Sequence, residues 1–320
     1  MKYLDKMTEA QRIISTDTET PDNDNTLEGY LWCASCGIVE LDEIQLNKCP
    51  ACDLVQYCSN ECQREHKPQH KRACEKRAAE LREEVLFKQP EDSHLGDCPI
   101  CLLPLPLDCR KSRIMSCCYK KVCNGCAYAN DIRELKESLE HTCPFCRRPF
   151  PRSETEANMN VMKRVKVNDP AAIRGKGIRC YEQGDYVSAF AYLTKAAEVV
   201  DDADAHDQLG SMYRKGKGVE KDTNKAVYHW EQAAIRGHPI SRYNLAVLDM
   251  FNGRFKRATK HWLISACIGH DPSLERLKFG YMRGYVEKDD FAAALRGHQA
   301  ALDAAKSPQR EAADAAKLDD

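Results

Sequence analysis

No stretch of this chain approaches the roughly 18 apolar residues that a membrane-spanning helix requires, so no transmembrane segment is expected. Neither sign of charge is in excess: 48 Lys and Arg stand against 49 Asp and Glu, a net charge of −1. That balance argues against a nucleic-acid partner, whose phosphates call for a basic face. Local basic groups do occur, at Lys67, Lys71 and Arg72, at Arg147, Arg148 and Arg152, and at Lys163, Arg164 and Lys166. Acidic residues lie between them, and they read as solvated surface. Residues 1–29 hold no apolar core of signal-peptide length and are rich in Asp, Glu, Thr and Asn, so a reducing interior, cytoplasm or nucleus, is expected. A Gly-rich phosphate loop, a dinucleotide fingerprint and a convincing Ser-His-Asp arrangement are all missing, which excludes the commonest nucleotide and acyl-transfer chemistries.

What the chain does have is cysteine: 18 in 320 residues. All but Cys109, Cys180 and Cys267 fall into two dense clusters. The first runs Cys33-x2-Cys36, Cys49-x2-Cys52, Cys58-x3-Cys62 and His70-x3-Cys74. The second lies between Cys98 and Cys146. A disulfide framework would need an oxidising compartment. In a reducing one, short Cys-x2-Cys turns put two thiolates on one tetrahedral zinc. Eight ligands in four pairs suit two ions per cluster, hence about four Zn2+ in all. His66 is the rival nitrogen ligand in the first cluster; the x3 spacing of His70 to Cys74, one helical turn, favours His70.

The rest divides by composition. Residues 1–29 are expected to be disordered, and 75–88 to form a helix with Leu81, Val85 and Phe87 apolar. Residues 89–97, with Pro90 and Gly96, and 151–168 read as linkers. From about 169 to 305, alanine, leucine and tyrosine recur at helical spacing. Trp230 and Trp262 are 32 residues apart, as are Gly237 and Gly269, and Leu209, Leu245 and Leu277 follow a similar interval. A period in the thirties marks stacked helix pairs. Ala226, Ala233, Ala234, Ala258 and Ala266 would let those pairs approach closely. Gly216 and Gly218 fall where a first helix would stop, and Phe291, Ala294 and Leu295 would share a face. A polar tail, 306–320, closes the chain. The expected fold is multidomain: two small zinc-stabilised α+β modules followed by an all-α helical-repeat solenoid.

Residues 33–74, with Tyr57-Cys58-Ser59 and His70-Lys71-x2-Cys74, resemble a MYND finger. The resemblance implies interleaved pairs: Cys33, Cys36, Cys58 and Cys62 on one zinc, Cys49, Cys52, His70 and Cys74 on the other. Members often present a hydrophobic groove to short proline-containing peptides and commonly carry a Trp where Lys67 stands, a departure that weakens the carry-over of peptide binding; the alternative is a purely structural knuckle. Residues 98–150, with Cys98-Pro99-Ile100-Cys101, Cys123-x2-Cys126 and Cys143-Pro144-Phe145-Cys146, resemble a RING domain of the all-cysteine kind. The implied cross-brace places Cys98, Cys101, Cys123 and Cys126 on one zinc. The other takes Cys143 and Cys146 with an unusual pair, Cys117 and Cys118; Lys120 stands where a His is common, and Cys109 is the weaker rival. The helix expected after Cys126 would pack through Ile132, Leu135 and Leu139.

RING domains typically hold a ubiquitin-conjugating enzyme and orient its charged ubiquitin. The resemblance would make Ile100 and Pro144 contacts to that enzyme and Arg147 the cation bridging to ubiquitin. Asn130 stands where a further apolar contact is usual. The repeats, with Leu209-Gly210-x2-Tyr213, Gly216-x-Gly218 and Trp230-x2-Ala233-Ala234-x2-Gly237, resemble Sel-one-like repeats, relatives of the tetratricopeptide repeat, which bind proteins. Trp230 and Trp262 read as packing residues, and His229 and His261 as structural groups repeating with the scaffold. Together these imply a RING-type ubiquitin ligase recruiting substrate or peptide ligands through its repeats. The alternative is a non-enzymatic zinc-finger adaptor; a nucleic-acid-associated factor using the basic groups is a third reading.

Overall fold

The computed structural model describes residues 26–27, 30–41 and 44–316. The expected disorder of 1–29 falls outside these apart from Thr26–Leu27, and so does the end of the polar tail, 317–320. The chain divides into two compact units, Met1–Val85 and Leu86–Asp320. No helix among the described residues is long and apolar enough to cross a membrane.

The first unit is almost without regular structure until its helix. Strands β1 (Thr26–Leu27) and β2 (Tyr30–Leu31) pair antiparallel, as do β3 (Asn47–Lys48) and β4 (Gln56–Tyr57). Helix α1 (Asn60–Leu86) follows, and its last residue belongs to the second unit. The helix expected over 75–88 therefore begins fifteen residues earlier, at Asn60, because Ser59 Oγ accepts from the Cys62 N–H (3.2 Å) and caps it. Pro68 lies inside α1 and removes one rung. Cys62 before it and His70 and Cys74 after it lie within about 120° of one another around the helix, so both halves face the same scaffold. The buried core of this unit is Cys33, Cys49, Cys52, Val55 and Tyr57.

The second unit opens with another cysteine-rich module. A 3-10 turn at Cys109–Lys111 leads into β5 (Ser112–Ile114), which pairs antiparallel with β6 (Lys121–Cys123); α2 (Asn124–Lys136) follows. Five of the eight residues of its core are cysteines, joined by Leu105, Met115 and Val122. The face of α2 that packs differs from the apolar stripe expected. Leu135 is 73% exposed and Leu139 is exposed too. The inward positions are Ala127, Asn130 and Glu134. Glu134 accepts from the Thr142 N–H and hydroxyl, and Asn130 donates to the Thr142 carbonyl. These polar bonds anchor the segment after the helix, and no periodicity of apolar residues reveals them.

Ten helices make up the remainder: α3 (Glu154–Lys166), α4 (Pro170–Glu182), α5 (Tyr186–Val200), α6 (Ala203–Lys215), α7 (Thr223–Ile235), α8 (Pro239–Phe251), α9 (Phe255–Cys267), α10 (Asp271–Met282), α11 (Lys288–Ala304) and α12 (Pro308–Ala315). Asp169, Asp185, Asp202 and Asp222 cap four of them by accepting backbone N–H bonds. Gly216 ends α6 in the left-handed region at φ +69°. A side chain at Gly218 would lie 2.5 Å from the Tyr186 carbonyl oxygen, so the turn passes too close for anything larger. Consecutive helices from α3 to α11 pack on one another, and α9 also packs on α11. Ala226, Ala233, Ala234, Ala258 and Ala266 are all fully buried, with Leu209, Leu245 and Leu277 between the layers. Trp230 and Trp262 are buried as packing residues. On α11 the buried face is Phe291, Ala294 and His298, whereas Leu295 points to solvent.

Neither expected linker is free. Residues 151–168 contain α3, capped by Ser153, and Val165 packs on the repeat core. The segment from Leu86 to Asp97 is bound to the repeats through groups far away in sequence. Buried Arg242 donates to the carbonyls of Leu86 (2.8 Å) and Lys88 (3.4 Å). Phe87 lies against His261, with ring centroids 4.6 Å apart. The tail likewise contains a helix, α12, which packs on α2.

Candidate functional site

Four Cys-x2-Cys turns share one backbone design. The N–H four residues after the first cysteine donates to its carbonyl: Gly37 to Cys33 (2.9 Å), Asp53 to Cys49 (3.0 Å), Leu102 to Cys98 (2.9 Å) and Arg147 to Cys143 (2.9 Å). In each, the residue after the second cysteine is left-handed, at φ +75°, +57°, +56° and +60°. For Leu102 and Arg147 that conformation costs roughly 1–2 kcal/mol. Both sulfurs of each turn then face one side. Backbone N–H groups also reach sulfur, from Cys126 to Cys123 Sγ (3.4 Å) and from Cys146 to Cys143 Sγ (3.5 Å).

A fifth turn has the same form without its first cysteine. The Tyr119 N–H donates to the Met115 carbonyl (2.7 Å), the Met115 N–H to the Lys120 carbonyl (3.0 Å), and Tyr119 is left-handed at φ +56°. Met115 thus takes the place of a first ligand and is buried in the module core. Cys117, two residues on, supplies the sulfur instead. The turn geometry is what allows adjacent Cys117 and Cys118 to face one point. Exposed Cys109 stays apart from this group.

The structure gathers sixteen donor atoms into four groups: Cys33, Cys36, Cys58 and Cys62; Cys49, Cys52, His70 and Cys74; Cys98, Cys101, Cys123 and Cys126; and Cys117, Cys118, Cys143 and Cys146. Within each, all donor atoms lie within 4.8 Å of one another. His66 is outside them, its Nδ1 paired with the Tyr57 hydroxyl at 3.1 Å. All of these cysteines are free thiols. A tetrahedral zinc with Zn–S near 2.3 Å sets its sulfurs about 3.8 Å apart, whereas a disulfide needs about 2.05 Å. The pairs Cys36–Cys58 (3.6 Å), Cys49–Cys74 (3.8 Å), Cys101–Cys123 (3.8 Å) and Cys118–Cys143 (3.9 Å) match the first spacing. Cys117–Cys146 is tighter, at 3.3 Å.

Electrostatics agree with a dication. Burial raises the Cys33 thiol, but the backbone amides of Cys36, Cys58 and Ser35 outweigh it and bring the group down to about 6. Its neighbour Cys58 is pushed up to about 12 by burial and by the surrounding sulfurs, and Cys74 behaves in the same way. Sulfurs packed this closely cannot all ionise unless a cation sits among them. Four ligands complete a tetrahedron, so the donor sets suit closed structural zinc with no open position for water.

The partner contacts implied for the second module fare unevenly. Ile100 is 41% exposed, whereas Pro144 is buried and presents no surface to a conjugating enzyme. Arg147 Nη1 donates to Asn130 Oδ1 at 2.6 Å, so its guanidinium is engaged within the module.

A further cluster escaped sequence reasoning: His94, Asp204 and His238. His94 Nε2 lies 3.1 Å and His238 Nε2 3.4 Å from Asp204 Oδ1, and Arg174 pairs with the same carboxylate at 3.0 Å. The Ser241 N–H donates to His238 Nδ1 (3.2 Å), which leaves Nε2 as the ring nitrogen that faces Asp204. Burial raises the Asp204 carboxyl, but His238, His94 and Arg174 hold it well below the usual range. The cluster is a hydrogen-bonded clamp that ties His94 to the repeats.

Comparisons with known proteins fit this division. Residues 33–74 match the model of the MYND finger, and residues 172–199 and 203–238 match that of the Sel1 repeat. The chain carries a MYND finger and Sel1 repeats. No curated protein matches it. Among solved structures, a Sel1 repeat protein from Oxalobacter formigenes is similar at 23% identity over 48% of this chain and 47% of that one, with a TM-score of 0.41. A protective antigen present in uropathogenic Escherichia coli strains, displaying an SLR fold, is similar at 24% identity over 46% of this chain and 33% of that one, with a TM-score of 0.38. The chain thus spans less than half the length of either. The MYND finger and the other Cys/His groups point to zinc binding.

Proposed function

We propose that the protein is a zinc-built adaptor that brings protein partners together, with four structural Zn2+ in its cysteine-rich modules and a partner-binding surface on its Sel1 repeats. The observation that carries this reading is the closure of each donor set at four ligands, which suits a scaffold and leaves no coordination position for hydrolysis. Cys33, Cys36, Cys58 and Cys62 hold one ion, Cys49, Cys52, His70 and Cys74 the second, Cys98, Cys101, Cys123 and Cys126 the third, and Cys117, Cys118, Cys143 and Cys146 the fourth. Thiols kept free for metal suit the cytoplasm or nucleus. On the repeats, Met250, Phe251, Phe255, Met282 and Tyr285 are exposed around the turns of the later helix pairs, a concentration of apolar side chains that suits a protein partner.

Ubiquitin-ligase activity is the second reading. It is favoured by the interleaving of pairs between Cys98 and Cys146 and by exposed Ile100 and Phe145. Buried Pro144 and engaged Arg147 weigh against it. A discharge assay with charged conjugating enzymes separates the two. The adaptor reading expects no acceleration across a broad enzyme panel. Acceleration that Ile100→Ala abolishes, with zinc content unchanged, would establish the ligase instead.

A further inference from the structure

Helix α12 closes over the first donor group of the RING-like module, and Arg310 reaches one of its sulfurs. Arg310 is only 7% exposed. Its Nη1 donates to the carbonyls of Pro104 (2.7 Å) and Ala305 (2.6 Å). Its Nη2 donates to the Leu103 carbonyl (3.2 Å) and to Cys101 Sγ (3.4 Å). A buried guanidinium needs a counter-charge. Three of these partners are neutral carbonyls, which leaves the sulfur. Four thiolates on one Zn2+ carry a net charge of −2, and Arg310 lies against that charge. The helix backbone is equally close. Gly125 stands between Cys123 and Cys126, and a Cβ there would meet the Arg310 backbone N at 2.7 Å and Cα at 2.9 Å. At the far end of the helix Lys111 Nζ pairs with Asp314 at 2.9 Å.

We propose that Arg310 is the counter-cation of the Cys98, Cys101, Cys123 and Cys126 zinc site, and that metal in this site clamps α12 onto the module. The inference rests on the zinc reading above. Arg310 is a positioning residue: it touches a ligand, not the metal. Loaded, the site offers Arg310 a fixed anion. Emptied, the four sulfurs lose the ion that holds them in place, Arg310 loses its fixed contact with Cys101, and α12 is released. The second donor group of the module, containing Cys143, serves as an internal control, because Arg310 makes no contact with it among its described bonds.

The test uses the full-length chain as purified, challenged with a zinc chelator while N-ethylmaleimide traps freed thiols for peptide mass spectrometry. Arg310→Met should speed labelling of Cys98 and Cys101 by about 10- to 100-fold, the usual range for loss of an outer-shell partner. Labelling of Cys143 and Cys146 should stay at the wild-type rate. Arg310→Lys, which keeps the charge and loses the fork, should fall between. Gly125→Ala leaves Arg310 and all four ligands in place but pushes the helix backbone away, and it should reproduce the Arg310→Met pattern. In the wild type, hydrogen exchange of 308–315 should rise on zinc removal to the level of Gly125→Ala. If the purified wild type holds zinc and neither variant changes labelling at Cys98 and Cys101, the clamp is refuted while the zinc reading stands. If the wild type holds no zinc at all, both fall together.

Discussion

The cysteine-rich modules and the repeats solve the same folding problem with different materials. The core of the first module is three cysteines, one valine and one tyrosine. A core in the repeats is Ile173, Leu193, Leu209 and Met212 with a bed of alanines and Cys180. About 45 residues cannot bury enough apolar surface to fold alone, whereas a structural zinc contributes apparent binding energy of about 10–16 kcal/mol. The lesson is that stability here has two sources, and each perturbation should strike one region and spare the other.

Metal removal is the largest test of that separation. Stripping zinc with a chelator should unfold both cysteine-rich modules while the helices between Pro170 and Met282 keep their protection, as read by hydrogen exchange. Loss of protection throughout would mean that the clamp at His94 and the packing of α3 couple the repeats to the metal. Next in size, Leu209→Ala, at a position 1% exposed, should destabilise the repeats by about 2–5 kcal/mol. Thermal denaturation measures the effect, and zinc content should not change.

Acid gives a smaller effect. Burial lowers His229 to about 4, His261 to about 2 and His270 to about 4, with His206 adding to the effect at the first and Arg242 and Arg257 at the second. An unfolded histidine titrates near 6.5. Between about pH 6.5 and 4 the unfolded chain therefore binds protons that the folded chain refuses. Stability should fall with pH across that window by up to about 1.4 kcal/mol per pH unit for each histidine, and stay level above it. Denaturant titrations at pH 7, 6 and 5, with exchange read in α7 and α9, measure the slope, and His261→Leu should flatten it. Smallest of all, Leu135→Ala on the exposed side of α2 should change stability by no more than about 0.5 kcal/mol, whereas Glu134→Ala, which removes the acceptor of the Thr142 N–H and hydroxyl, should cost about 1–3 kcal/mol. Chemical denaturation of the pair checks which face of α2 carries the packing.

The repeats were legible because their physics is periodic: Trp230 and Trp262, Gly237 and Gly269, and the buried alanines recur at one interval. The donor groups contain the pairs that stand out in the sequence, most of them three or four residues apart, with adjacent Cys117 and Cys118 the exception. Other features had no such signature. Residues 89–97 looked like a linker because the partners of His94, Asp204 and His238, lie more than a hundred residues away. The inward face of α2 was hidden because Asn130 and Glu134 are polar and are satisfied only by the later Thr142. Met115 in a ligand's place, and Arg310 against Cys101, are products of turn geometry and chain return that no local pattern carries.

Native mass spectrometry of the purified chain, never exposed to chelator and followed by a count of reactive thiols after metal removal, tests the central claim most directly. The account predicts four zinc ions per chain, with the cluster cysteines becoming reactive only once the metal is stripped. Negligible zinc, with the same sulfurs joined in disulfides, would contradict it.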